Sequence, residues 1–77
     1  MKIKAFIFAG DYRQYENFIR ENHLERREYE MLKEENWRGQ DDFDVIRIGT
    51  FYLNGKLLDM LPTIEHVGKR RRLNDHP

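Results

Sequence analysis

The apolar positions of this chain gather in a few short runs separated by long charged stretches. In the first run, Lys2 to Arg13 (KIKAFIFAGDYR), Ile3, Ala5, Ile7 and Ala9 alternate with Lys4, Phe6 and Phe8, and from Ala5 onward both sets are apolar. A strand that is apolar on both faces belongs at the centre of a sheet, or in a parallel sheet covered on both sides. Gly10 ends the run. Asp11 is placed to cap a following helix by accepting a bond from a free backbone N–H, and Gln14, three residues on, is placed to bond back in an approximate capping box. Tyr12, Tyr15, Phe18, Ile19 and Asn22 then recur at helical spacing, opposite Arg13, Glu16, Asn17, Arg20 and Glu21. This predicts a helix over about Tyr12 to Asn22. Asn22-His23 marks its stop, because asparagine tolerates the left-handed conformation there.

Leu24 to Glu35 (LERREYEMLKEE) carries two patterns. Leu24, Glu28, Met31, Leu32 and Glu35 fit a helical stripe, and the residue types favour a helix. Arg27 to Leu32 also fits a short strand with Tyr29 and Met31 on one face. The strand is preferred, because a strand-helix-strand unit gives the first strand a parallel neighbour and gives the helix a sheet to cover. Asn36 to Asp42 is a loop broken by Gly39, with Trp37 set to plug the edge of the core. Phe43 to Phe51 is the next strand, in which Gly49-Thr50 repeats the chemistry of Gly10-Asp11. Asn54-Gly55 between apolar runs is a strong hairpin signal, which would send Lys56 to Leu61 back as an antiparallel strand. Alternatively Asn54 caps a short helix from Gly55 to Leu61, with Leu57, Leu58 and Leu61 as its stripe. Leucine and methionine favour the helix. Pro62 should end or kink it. Thr63 to Val67 then reads as a last helical turn or an edge strand, and Gly68 opens a basic, frayed tail.

These elements predict an α/β fold, a small sheet of about three mostly parallel strands with two helices. The alternative is an α+β fold with a C-terminal β-hairpin. Residues 1–68 would form one domain and 69–77 a basic, flexible tail. In an open α/β sheet ligands bind at the carboxyl ends of the strands. That edge would carry Gly10, Asp11, Tyr12 and Arg13 from one strand and Gly49, Thr50, Phe51 and Tyr52 from another. Arg13 offers a cation to a phosphate or carboxylate, Thr50 a donor, and Tyr12 or Tyr52 a stacking face for a base. The plainer reading makes the glycines turn residues, Asp11 a cap and the aromatics core. Neither the dinucleotide nor the P-loop glycine fingerprint occurs.

Composition narrows the chemistry further. Seventy-seven residues make one domain, and a chain of this length buries only about 60% of its unfolded surface. The chain has no cysteine, so disulfides and thiolate metal sites are excluded, and it has no serine, so covalent catalysis is not expected. Its 14 basic and 14 acidic residues balance, which leaves no global charge to draw it to nucleic acid or an anionic membrane. Charged residues at 36% imply a highly solvated surface, and aromatic residues at 13% are enough to anchor a small core. Glu34, Glu35, Asp41, Asp42 and Asp44 read as a solvated acidic loop, because adjacent strand residues point to opposite faces and do not converge on a cation. His23, His66 and His76 share no ligand spacing. No metal or cofactor is expected. The block Lys69-Arg70-Arg71-Arg72 suits electrostatic contact with nucleic acid or an acidic partner, or simply a solubilising tail. The amino-terminal run is too short for a signal peptide and lacks a small-x-small cleavage site, so a core strand is the better reading. Nothing approaches the roughly 20 apolar residues of a membrane span.

The order of G-D-Y-R, a helix ending in E-N-H-L, W-R-G, and a strand with I-G-T-F-Y resembles a group of very short Rossmann-like α/β proteins encoded by bacteriophages. The matching positions are Gly10 to Arg13, Glu21 to Leu24, Arg38-Gly39 and Ile48 to Tyr52, over about the first two thirds of the chain. The resemblance implies a parallel sheet and supports the strand at Arg27 to Leu32. It supplies no catalytic residue, and it ends after Tyr52. A sheet this small is not expected to cover both faces of its first strand with its own helices, so a homodimer or a host protein would complete it. The function expected is a non-enzymatic protein-binding module, a phage-encoded modulator of a host protein in the host cytoplasm, with no membrane association. Small-ligand or nucleotide binding at the strand ends, and nucleic-acid association through the basic tail, are the alternatives.

Overall fold

The computed structural model describes residues 2–74, with side chains described for residues 2–69. Strand β1 (Ala5–Phe8) leads into helix α1 (Tyr12–Glu21), followed by β2 (Tyr29–Met31) and β3 (Asp44–Arg47). A 3-10 turn (Phe51–Leu53) then leads into helix α2 (Gly55–Asn74). The sheet has the order β2-β1-β3, and both neighbours run parallel to β1. The α/β architecture expected from the hydrophobic pattern is therefore the one observed, and the Arg27 to Leu32 segment does contain a strand.

Every residue of β1 is buried. Alternation along the strand sends Phe6 and Phe8 to one face and Ile7 and Ala9 to the other. Phe6 and Phe8 pack with Leu57, Leu61 and Ile64 of α2, together with Phe43, Trp37 and Leu32. Ile7 and Ala9 pack with Tyr15 and Ile19 of α1. Both faces are thus covered within one chain, contrary to the expectation that a second molecule would be needed. The reason is the length of α2. A short helix ending at Pro62 would leave Phe6 and Phe43 uncovered, whereas α2 spans 20 residues.

Pro62 lies inside α2 and does not stop it. Proline removes one N–H, leaving the carbonyl four residues back unbonded. Both Pro62 and Leu58 are on the exposed side of the helix, where water can take that carbonyl. The buried stripe Leu57, Leu61 and Ile64 runs past the proline and holds the two halves on the sheet. Thr63 to Val67 is accordingly helical, and Asn54 caps the helix through its Oδ1, which accepts from Leu57 N–H at 3.3 Å. The hairpin alternative at Asn54-Gly55 is not formed. Gly68, expected to open the tail, is buried within α2, and its carbonyl accepts from Phe43 N–H at 3.0 Å.

Helix α1 ends in a Schellman motif, with Leu24 N–H donating to Ile19 O at 3.1 Å and His23 N–H to Arg20 O at 3.3 Å. The left-handed residue is His23, at φ +54°, and not Asn22, at φ −101°. The left-handed position falls on the second residue of the predicted Asn22-His23 stop, where it lets Leu24 reach back onto Ile19 and join the same apolar cluster. Strand β3 is shorter than the predicted Phe43 to Phe51, because Gly49 turns the chain at φ +56°.

A Cβ added at Gly68 would lie 2.6 Å from the Phe43 carbonyl and 2.8 Å from its ring, whereas one added at Gly55 would meet nothing within 4 Å. Gly68→Ala is therefore expected to destabilise the fold by roughly 1–3 kcal/mol through overpacking, against its better helix propensity. Gly55→Ala is expected to stabilise it by about 0.4–1 kcal/mol. Urea denaturation of the two variants checks the opposite signs.

Candidate functional site

The strand ends come together as their order requires. β1 and β3 are adjacent and parallel, in a register that pairs Phe8 with Arg47, so Gly10 and Gly49-Thr50 face each other just beyond the sheet. This is the crevice where an open α/β sheet would hold a ligand. In this protein it is filled by the side chain of Gln14. The Gln14 amide oxygen accepts from Gly10 N–H at 3.0 Å and from Thr50 N–H at 3.0 Å, and its amide nitrogen donates to Thr50 Oγ1 at 2.9 Å.

Both glycines are required by this packing. A Cβ at Gly10 would lie 2.1 Å from Thr50 Oγ1, and one at Gly49 would lie 2.3 Å from the Gln14 amide oxygen. The helix start that aims Gln14 is half of the predicted capping box: Asp11 Oδ1 accepts from Gln14 N–H at 2.9 Å. The reciprocal bond goes one residue further back, to Gly10 rather than Asp11. That shift lets a single acceptor bridge two strand ends. Gln14 is the residue the sequence reading did not assign to this edge. The signal available was the pair of glycines, each marking a position that some other group approaches closely.

The other residues expected at the edge are dispersed. Asp11 is spent as the cap of α1, and Arg13 is exposed with no ion pair among the described residues. Thr50 is held by Gln14. Tyr52 stands exposed, with its ring 5.7 Å from Phe51 at a near-perpendicular angle. Phe51 lies 5.4 Å from Phe8 on the α2 side of the sheet. Tyr12 lies on the α1 side, with its ring 5.8 Å from Tyr15. Asp11 and Thr50 are thus both engaged by Gln14, while Arg13 and Tyr52 stand exposed. Lys69 is exposed at the end of the described side chains, and Arg70, Arg71 and Arg72 have side chains outside the described residues.

Tyr12 instead walls a cleft of about 250 Å³ between α1 and the end of β2, with Tyr15, Arg26, Met31 and Lys33 among its lining. Its electrostatics centre on Glu16, which takes a two-pronged bond from the Arg26 guanidinium. That bond, helped by a bond from Tyr12, holds the Glu16 carboxyl at about 2, well below its ordinary 4.5. The same bond between Tyr12 and Glu16 raises the Tyr12 hydroxyl, and burial raises that of Tyr15. Tyr15 donates its hydroxyl to Tyr29 O at 2.8 Å. The cleft is thus walled by groups already engaged with one another, with Lys33 at its rim.

Elsewhere the acidic residues pair locally, Lys2 with Asp42 at 2.9 Å and Lys56 with Glu34 at 3.1 Å. Among the described residues no three His, Cys, Asp or Glu side chains converge as a metal site, and no helix is long and apolar enough to cross a membrane. No family model, curated protein or solved structure matches the chain.

Two outcomes test this geometry. Gln14→Ala removes three bonds and strands two N–H groups, so it is expected to cost about 1–3 kcal/mol, more than the roughly 0.5–1.5 kcal/mol of Thr50→Val, in denaturant melts. The depressed Glu16 carboxyl contributes stability that is present above its unfolded value near 4.5 and is lost as pH falls through about 2. Its carboxyl resonance should therefore titrate near 2 and move up toward 4.5 in Arg26→Ala, while the stability gap between the two proteins closes toward acid pH.

Proposed function

We propose that this chain is a non-enzymatic protein-binding module that engages its partner through an apolar ledge formed by the 3-10 turn and the first turn of α2. The observation that carries this reading is the exposure of Tyr52 (58%), Leu53 (72%) and Leu58 (37%) on one short stretch of chain. Side chains of this size left in water stabilise nothing in the isolated fold. Covering the apolar surface they still expose is worth roughly 25 cal/mol per Å² against a partner. The ledge is also rigid, since Phe51 anchors it on Phe8 and Asn54 fixes the helix that follows. A preformed platform loses little entropy on binding, and tyrosine is enriched among the residues that dominate interface energies.

Against chemistry at the strand ends stands Gln14, which occupies the crevice and ties up the Thr50 hydroxyl. A second reading, small-ligand binding, is favoured by the Tyr12 cleft on the β2 side rather than by Thr50 and Tyr52. At about 250 Å³ it lies just below the usual range for drug-sized ligands, so it suits only a small molecule. Nucleic-acid association rests on the basic run Lys69 to Arg72 alone.

The test replaces the ledge without touching the core. Tyr52→Ser with Leu53→Glu should leave stability within about 0.5 kcal/mol, as expected of surface positions. It should also abolish stoichiometric capture of a partner that the unaltered chain retains at micromolar concentration. Equal capture by both proteins, or capture by neither, counts against the ledge. For the cleft, a thermal-shift panel of small anions and nucleotides decides, because a ligand at 100 times its dissociation constant adds about 2.7 kcal/mol.

A further inference from the structure

The two outer edges of the sheet are finished differently. On β2 the chain itself covers three of the four outward main-chain groups of Tyr29 and Met31. Tyr29 N–H donates to Glu25 O at 3.0 Å, Tyr29 O accepts from the Tyr15 hydroxyl at 2.8 Å, and Met31 O accepts from the Asn36 side-chain amide at 2.8 Å. On β3 the outward groups are not covered. Asp44 N–H donates to Lys4 O and Ile48 N–H to Phe8 O, so Asp44, Ile46 and Ile48 direct their main-chain groups at β1. Val45 and Arg47 direct theirs away from it. Among the described residues nothing bonds the N–H or C=O of Val45 or Arg47. The opening is bounded at both ends, by Gly68 O on Phe43 N–H and by the left-handed turn at Gly49. Beside it runs a groove of about 190 Å³ lined by Phe43, Asp44, Val45, Glu65 and Lys69.

We infer that this edge pairs with the same edge of a second copy of the chain, antiparallel about a two-fold axis through Ile46. Such an axis sets Val45 of each copy opposite Arg47 of the other in the hydrogen-bonded position, so all four open groups of each copy are met by the same four of its mate. The open stretch is only these two outward residues long, with a closed N–H on one side and a turn on the other. A longer extended peptide therefore gains no further main-chain bonds, whereas a second copy matches the opening in length. On the α1 side the pairing brings Ile46 against Ile46 of the other copy in the closely spaced position, covering side chains that are now half-exposed. On the α2 side the Arg47 side chain of each copy projects over the groove beside Val45 of the other. There it finds Glu65, the carboxylate that Arg47 already contacts within its own chain at 3.2 Å. The zero net charge leaves no general repulsion against self-association.

The interface is small, so the dimer is expected to be weak and dependent on concentration. Sedimentation velocity of the full chain from about 10 μM to about 1 mM should show monomer giving way to dimer, and the Val45 and Arg47 amides should gain protection from hydrogen exchange in step with it. Arg47→Pro removes an N–H that faces away from the sheet, a change an edge strand tolerates, and it should weaken dimerisation at least tenfold. If that variant does not fold, Arg47→Glu decides: it should dissociate the dimer, and Arg47→Glu with Glu65→Arg should restore it. A chain that stays monomeric at 1 mM overturns the inference. So does a dimer whose Val45 and Arg47 amides remain unprotected, one that survives Arg47→Pro or Arg47→Glu, or one that the double exchange does not recover.

Discussion

Everything in this small protein follows from burying β1 on both faces within a single chain. Phe6 and Phe8 require one apolar layer and Ile7 and Ala9 another, and each layer is one helix thick. On the first face the layer is α2, which must be long enough to reach from Phe51 at one end of the sheet to Phe43 at the other. The contact of Phe6 with Phe43, edge to face at 4.9 Å, is what the far half of that helix covers. This constraint explains why Pro62 does not end the helix. The local cost of one missing hydrogen bond falls on a solvent-facing carbonyl, while the apolar stripe on either side of it gains burial. It also explains Gly68, the one residue small enough to let the helix backbone close onto Phe43.

The same economy of size shapes the strand ends. The described residues form two α-helices and three strands, and among them no separate loop fills the crevice between β1 and β3. The protein fills it with a side chain from the first turn of α1. Gln14 suits this position because an amide carries both an acceptor, here shared by two N–H groups, and a donor, here given to a hydroxyl. The consequence for function is direct. The place where an open α/β sheet ordinarily binds ligands is occupied by the protein's own hydrogen-bonded plug, and the exposed aromatic and apolar side chains lie to either side of it. Tyr12 faces a cleft toward β2, while Tyr52, Leu53 and Leu58 face outward from the α2 side. The chemistry left exposed is that of a surface, which is why recognition rather than reaction is the function proposed for it.

Much of the fold was legible in the sequence wherever local pattern and tertiary demand agree. The doubly apolar run Ala5 to Phe8 determined a central strand, since no other placement hides both sets of side chains. Asp11 and the spacing Tyr12, Tyr15, Phe18 and Ile19 determined α1, whereas Asn54-Gly55 fitted both a hairpin turn and a helix cap, and only the leucine-rich sequence after it favoured the start of α2. What the tertiary structure alone decided lies where local preference is weak or opposed. Tyr29 to Met31 is a strand because β1 needed a neighbour, although its residue types lean to helix. Pro62 and Gly68, both breakers by local rule, are retained inside α2 because β1 and Phe43 reward the helix for passing through them. Gln14 reads locally as half of a cap. It becomes the bridge between two strand ends only because residues 36 positions apart in sequence are brought within hydrogen-bonding distance. Contacts of that range leave no periodic trace in the chain, so only the assembled sheet could reveal them.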